Sequence, residues 1–383
     1  MSTDSQYIRS HEGLRGLAAL CVVFFHAGTV SILDPRLAGF GPIANGWVSV
    51  DLFFALSGFV MFLRYGDRLR EPGDSKRFVL RRLGRLYPLH LATLTFFILT
   101  WLAMQSTKWV LIERFGVAVG NPELFSAEQF NWPDLVLNLG LLHGVGLRWT
   151  DALNYPSWSV SLEFWTYFVF LAVCLSTARW QGRVALFAVL GLISWTWFVL
   201  VALHQENFVL MFQAERTFMR ILMSFSAGVC VAGWFGRHPG GLPAAGAWQA
   251  VAFFCLVFYY VNLGDLGAGL LAGPFVFGLV ILALCADTGW LGRILQCGVF
   301  GWLGERSYSI YLVHATVLMA TSAAGRLTGL NQLWVLTAIY LSLTLLIANF
   351  TYRRIEVPAR ERFRRLTVDS PALHAGENTT GRA

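Results

Sequence analysis

The chain has 383 residues, 56% of them hydrophobic, 15% aromatic and only 13% charged, and its mean hydropathy is +0.57. Soluble domains carry about 25% charged residues, so this composition excludes a soluble globular or secreted scaffold and describes a membrane protein. The formal charge of +7 then belongs to membrane topology rather than to nucleic-acid binding.

Apolar runs of about 20 residues, the length that crosses a ~30 Å hydrocarbon core as helix, fall near 14–33, 44–63, 86–105, 157–175, 184–203, 217–235, 247–262, 268–286, 307–322 and 333–352. They predict an all-α, polytopic transmembrane helix bundle of about ten spans. The first run is longer than a signal-peptide core and carries Arg15 and His26, so it reads as a retained helix. A shorter run, Leu135 to Leu147, is interrupted by Asn138, Gly140 and His143 and suits a re-entrant or interfacial segment.

Residues 64–85 hold eight Lys/Arg against three acids, and residues 353–365 hold six Arg against two Glu. The positive-inside bias makes both segments, and hence both termini, cytoplasmic. Residues 106–155, with three Lys/Arg against five acids, form the large external loop if the Leu135 run does not cross. The spans use residues 1–366 as one membrane domain, and the polar residues 367–383 read as a disordered cytoplasmic tail. Cys21, Cys174, Cys230, Cys255, Cys285 and Cys297 show no CxxC or zinc-ligand spacing and read as small hydrophobes; no metal site is expected.

Charged groups at membrane depth are costly and usually face a bundle interior, which makes each a functional candidate. Arg15 and His26 are eleven residues apart, so they return to within roughly 20° of one helix face, ~16 Å apart along the axis. A histidine near mid-membrane can take and return a proton near neutral pH; the plainer reading is a hydrogen bond to a neighbouring helix. Asp51 opens the second span in GWVSVDLFFALSGF, and Glu163 lies about two turns into the fourth, PSWSVSLEFW. Each is a candidate acid, or else a helix-start charge favoured by the dipole, a reading that fits Asp51 better. Ser159 is four residues from Glu163 and shares its face, within reach of the carboxylate.

Arg77, Arg81 and Arg85 recur every four residues, with Lys76 and Arg82 beside them. Guanidinium forks bind phosphate bidentately, so the stripe is a site for a phosphorylated cytosolic donor, or else a topology signal that meets anionic head groups. In LGERSYSIYLVH, Ser307, Tyr311 and His314 fall at i, i+4 and i+7 on one face, where they line a substrate cavity or bond helix to helix.

Together these segments resemble the acyltransferase family three, polytopic membrane enzymes that O-acylate cell-surface glycans and other extracytoplasmic acceptors. The similarity covers almost the whole chain. Its most specific element is an arginine, ten residues and a histidine in the first helix, here Arg15 and His26 in RSHEGLRGLAALCVVFFH. Four further blocks follow in order: VDLFFALSGF with Asp51, Ser57 and Gly58; RRLGRLYP with Arg81, Arg82, Arg85 and Pro88; WSVSLE with Trp158, Ser159 and Glu163; and LGERSYSIYLVH, before a terminal EVPAR. Glu12 stands where the family often has Asp.

The resemblance implies a bacterial inner-membrane enzyme with no permanently bound cofactor. Its co-substrate would be cytosolic acyl-coenzyme A, most often acetyl, and its acceptor a hydroxyl of an extracytoplasmic glycan such as lipopolysaccharide O-antigen or exopolysaccharide. His26, Arg15, Glu163 and Asp51 become the catalytic candidates, with Glu163 or Asp51 orienting the imidazole and His26 acting as base or acyl relay. Arg77, Arg81, Arg82 and Arg85 become the donor-binding candidates. Ser57, Trp158, Ser159, Ser307, Tyr308, Tyr311 and His314 become the substrate-cavity candidates. The family's extracytoplasmic esterase-like domain is not expected, because about thirty residues follow the last span. A transporter or flippase of a glycan or lipid-linked intermediate is the competing class, since it too needs polar residues at the midplane; no repeat of the kind it would show is visible.

Overall fold

The structure, a computed structural model, describes residues 8–69, 72–116, 131–146, 153–204, 214–263 and 267–368. Among the described residues every regular element is helical. The chain opens with α1 (Arg9–Thr29), two single turns, α2 (Pro35–Ala38) and α3 (Gly41–Ala44), and α4 (Ser49–Tyr65). Next come α5 (Pro72–Phe115), the short α6 (Trp132–Leu139), α7 (Trp158–Ser176), α8 (Trp180–His204) and α9 (Ala214–Phe235). The last part holds α10 (Ala245–Asn262), α11 (Gly273–Leu284), α12 (Gly289–Leu295), α13 (Gly298–Glu305), α14 (Ser307–Thr328), α15 (Leu333–Thr351) and α16 (Val357–Val368). The expected tail falls outside the described residues from 369 onward.

Among the described residues eight single helices are long and apolar enough to cross a membrane, and they coincide with eight of the expected runs. The run near 268–286 is a ninth, but it bends by 90° between Leu284 and Gly289. The remaining run is α1, whose 21 residues carry Glu12, Arg15 and His26. At 1.5 Å per residue it is still about 31 Å long, enough for the hydrocarbon core. The apolar window of α4 and that of α14 are each 72% buried, against 17% for α8. Helices α4 and α14 therefore form the interior, while α8 and α10 turn residues such as Leu192, Ile193, Phe254 and Phe258 outward, where a bilayer covers them.

Three features place the interior helices. The carboxylate of Asp287 accepts the backbone N–H of Arg9 at 3.2 Å and of Ser10 at 2.9 Å, capping α1 from a distant loop and satisfying donors that have no intrahelical partner. Gly16 lets α1 lie against α13, since a Cβ there would stand 2.7 Å from the Gly304 nitrogen. Gly58 and Gly228 let α4 and α9 meet backbone to backbone, because a Cβ on either would run into the carbonyl of Phe225 or of Ala55. Small residues at such crossings are the usual means of close packing without a hydrophobic driving force.

Helix α5 differs from expectation. The apolar run begins at residue 86, yet the helix starts at Pro72 and continues through Pro88 for 44 residues, about 66 Å. Its basic first turns are thus one rigid rod with the span. Of the segment expected over 135–147, only 135–139 is helical among the described residues, in α6, whose eight residues, about 12 Å, are too short to cross. It is pinned to α5 by Tyr87, whose hydroxyl donates to the Leu139 carbonyl at 2.8 Å, and by His90 on the Asn138 carbonyl at 2.9 Å. Ser161 and Trp165 of α7 both donate to the Leu141 carbonyl, at 2.6 and 2.8 Å. Leu147, the end of the expected segment, lies outside the described residues.

Candidate active site

Helices α1, α4, α5, α7 and α14 line an open cavity. Its polar wall is Arg15, Ser57, Arg82, Arg85, Ser159, Glu163, Ser307, Tyr308 and Tyr311, and its apolar wall includes Val50, Phe53, Leu56, Met61 and Val160. Nine sequence-predicted residues from five helices therefore meet on one concave surface. Three of them are arginines. A cavity with three cations, one carboxylate and five hydroxyls suits an anionic, hydrogen-bonding ligand.

Each cation is held differently. Arg15 lies 3.6 Å from Glu12, one turn back on α1. Arg82 is buried, with its guanidinium 4.8 Å from the Tyr65 ring centroid, 5.3 Å from that of Tyr167 and 5.8 Å from that of Phe78, an aromatic setting that stabilises a cation away from water. Arg85 has Glu163, Glu356 and Glu12 near enough to act on its charge. Glu163 accepts hydrogen bonds from the Tyr167 hydroxyl, four residues on along α7, and from Ser57 Oγ at 3.5 Å.

The four arginines expected to bind a donor do not form one site. Arg81 donates from Nε to Thr367 Oγ1 at 2.9 Å, on α16, and Arg77 stands 3.9 Å from Asp74 near the surface. A four-residue repeat drifts about 40° per step on a helix of 100° per residue. From Arg85, Arg81 and Arg77 have turned away by about 40° and 80°, whereas Arg82 lies about 60° to the other side. The cavity takes the face between Arg82 and Arg85.

The carboxylates expected beside His26 are engaged elsewhere. Asp51 is paired with Arg220 of α9, whose Nε lies 2.9 and 3.1 Å from the two carboxylate oxygens; the two side chains are 4% and 1% exposed. The Arg220 guanidinium also sits over the Trp47 ring at 4.9 Å. Asp51, expected as a catalytic acid or a helix-start charge, is instead a fastening between α4 and α9. Ser159, expected to reach Glu163, instead donates to the Tyr311 hydroxyl at 2.9 Å, and Tyr311 donates to the Pro156 carbonyl at 3.0 Å. Trp158 packs into the apolar core rather than onto the cavity.

His26 meets a second imidazole. His314 Nε2 lies 3.1 Å from His26 Nδ1, and His26 Nδ1 is also 3.0 Å from the Val22 carbonyl. His314 Nδ1 is 2.6 Å from the carbonyl of Tyr311, the residue whose side chain lines the cavity. The Tyr155 ring covers His26 at a centroid distance of 4.9 Å. His26 and His314 therefore stand together outside the cavity lining, with the His314 ring 5.9 Å from that of Tyr311 on the wall, and α1 links this pair to Arg15.

Sequence reasoning missed Arg220, Tyr167, Tyr155 and Glu356. Arg220 was detectable, since it is a charge inside the run 217–235 and the rule that singled out Arg15 applies to it equally. Glu356 lies on a wide helical turn between α15 and α16, buried, where it accepts from Ser309 Oγ at 2.7 Å. Nothing local in EVPAR announces that partner.

A polar cavity inside a polytopic helical bundle, with arginines at one end and an imidazole pair behind its wall, defines a membrane protein with a buried reaction or binding site. The acyltransferase-domain family matches residues 8–353, and the chain belongs to it, the acyltransferase family three. It is similar to the peptidoglycan O-acetyltransferase OatA of Listeria monocytogenes, at 23% identity over 93% of this chain and 56% of that protein. The putative peptidoglycan O-acetyltransferase YrhL of Bacillus subtilis is 25% identical, over 93% of this chain and 55% of its own length. The chain thus spans about half of those two relatives. The exopolysaccharide production protein ExoZ of Rhizobium meliloti is 27% identical over 84% of this chain and 93% of its own. No solved structure matches.

Proposed function

We propose that the protein is a bacterial inner-membrane O-acyltransferase that carries an acyl group, acetyl in the first instance, from cytosolic acyl-coenzyme A to a hydroxyl of an extracytoplasmic glycan. The observation that carries this reading is the cavity wall itself, where Arg15, Arg82 and Arg85 face the same space as five hydroxyls and Glu163. Guanidinium groups pair with phosphate oxygens through charge-assisted bonds, so the arginines hold the donor's phosphates at the cytoplasmic side. Membership of the family and the chain's similarity to O-acetyltransferases of peptidoglycan and an exopolysaccharide production protein support acyl transfer to a glycan hydroxyl.

The thioester end of the donor then points along α1 toward His26. The imidazole takes the proton of the acceptor hydroxyl as its oxygen forms the new ester bond to the thioester carbonyl. The carbon–sulfur bond breaks, and the coenzyme A thiolate leaves with the proton that His26 held. Glu163 with Tyr167 and Ser57 anchors one wall, and Tyr308, bonded to the Leu86 carbonyl at 2.8 Å, anchors the facing one.

The test is release of coenzyme A from acetyl-coenzyme A by the purified protein in lipid, with water as the acceptor. Wild type releases it, and His26→Ala loses release while still inserting and eluting as a single species. A wild type that neither binds nor consumes the donor returns the basic residues to topology and favours a transporter.

A further inference from the structure

We infer that His314 is the positioning residue for His26: it accepts the Nδ1–H of His26 and thereby leaves the lone pair of His26 Nε2 as the reacting atom. This rests on the acyl-transfer reading above. The assignment follows from which atoms can accept. A carbonyl oxygen only accepts, so His314 Nδ1, 2.6 Å from the Tyr311 carbonyl, carries a hydrogen. A neutral imidazole has one N–H, so His314 Nε2 has a lone pair and is the acceptor at 3.1 Å from His26 Nδ1. The same logic puts the hydrogen of His26 on Nδ1, where it is shared between His314 Nε2 and the Val22 carbonyl at 3.0 Å. All three contacts are satisfied by one arrangement of protons. His26 Nε2 is the nitrogen left over, with no hydrogen-bond partner among the described residues.

The pair resembles a base and its orienting group in nucleophile–base–orienter constellations. His314 is fully buried and held by its own helix, so it keeps its place when His26 reacts. As the acceptor hydroxyl's proton arrives on His26 Nε2, His26 becomes an imidazolium, and the bond from its Nδ1–H to His314 Nε2 becomes charge-assisted. That bond is stronger in the charged state than in the resting one, which is the condition for lowering the barrier rather than only tightening binding. The Tyr311 residue links the device to the cavity, since its hydroxyl side lines the wall and its carbonyl orients His314.

Two measurements test the inference. In protein labelled with 15N-histidine and reconstituted in lipid, the signals lost in His26→Ala identify His26, and those lost in His314→Leu identify His314. Both rings are expected to be protonated at Nδ1 and bare at Nε2; a His26 protonated at Nε2 overturns the inference. In coenzyme A release from acetyl-coenzyme A, His314→Leu is expected to lose about 100-fold in kcat with the donor KM within about twofold, because the arginine site is untouched. His314→Gln, whose amide oxygen still accepts from Nδ1–H, should recover at least about tenfold over His314→Leu, a rescue that a packing role would not produce. An equally active His314→Leu beside an active wild type overturns the inference alone. Absence of release from wild type overturns the acyl-transfer reading and the catalytic half of the inference with it.

Discussion

Replacing Asp51 tests whether this carboxylate holds helices together or takes part in chemistry. Its oxygens lie 2.9 and 3.1 Å from Arg220 Nε, with 4% and 1% of the two side chains exposed. The pair joins α4 to α9 where Gly58 and Gly228 bring the two backbones into contact. Removing one member of a buried ion pair costs about 3–5 kcal/mol, because the remaining charge stays desolvated. Asp51→Asn keeps one acceptor oxygen, worth about 1 kcal/mol, so its cost should be about 2–4 kcal/mol. Asp51→Leu should show the full amount, and the double variant Asp51→Leu with Arg220→Met should return to within about 1 kcal/mol of wild type, since apolar residues replace buried pairs well. The assay is thermal unfolding in detergent followed by tryptophan fluorescence, in which the Asp51→Asn midpoint should fall by about 2–5 °C for a chain of this length. Coenzyme A release per folded molecule should stay within about twofold of wild type. A variant as stable as wild type with release lost would place Asp51 in the chemistry and refute the assignment.

Two further outcomes follow from the cavity and the helix crossings. Arg82→Gln and Arg85→Gln should each raise the donor KM by about 10- to 100-fold, the loss of one charge-assisted bond of about 1.5–3 kcal/mol. Arg77→Gln and Arg81→Gln, which point to Asp74 and Thr367, should change KM by less than about threefold in the same steady-state assay. Gly228→Val should abolish monodisperse expression, because its Cβ meets the Ala55 backbone, whereas Gly301→Ala, with nothing within 4 Å of the added atom, should express as wild type. Equal expression of the two would refute the close approach of α4 and α9.

Much of the fold was readable because crossing a bilayer needs a long apolar run, and a run is a local property of sequence. Eight single helices and a bent pair stand where the runs stood. What escaped was whatever hydropathy does not encode. The first turns of α5 are basic, so the apolar run begins only at residue 86, although Arg77, Arg81 and Arg85 already show a helical interval. The bend after Leu284 was hidden because the run reads as apolar through Cys285 and Ala286. At the site, residue types were readable and partners were not. Asp51 and Glu163 look alike as acids in span openings. Only the packing of α9 against α4 gives Asp51 an arginine, and only Ser57 and Tyr167 keep Glu163 on the cavity wall.

The spacing of Arg15 and His26 carried more information than either residue alone. Eleven residues bring the helix back to nearly the same face about 16 Å further along, so one rigid element can hold an anion at one end and a base at the other. In the structure Arg15 is on the cavity with Arg82 and Arg85, and His26 is against His314. Helix α14 covers part of that interval from the other side, with Ser307, Tyr308 and Tyr311 on the cavity and His314 seven residues, about 10 Å, beyond Ser307. Two helices running from arginine and hydroxyls to an imidazole pair make the separation between donor site and base a fixed length, set by helical rise and not by loop conformation. Turning the imidazole off that face should therefore uncouple donor binding from turnover. Exchanging the positions of His26 and Phe25 turns the imidazole by about 100° off the shared face while keeping composition and span length. That variant should bind acetyl-coenzyme A with unchanged affinity and release no coenzyme A; retained release would show that the register of α1 does not matter.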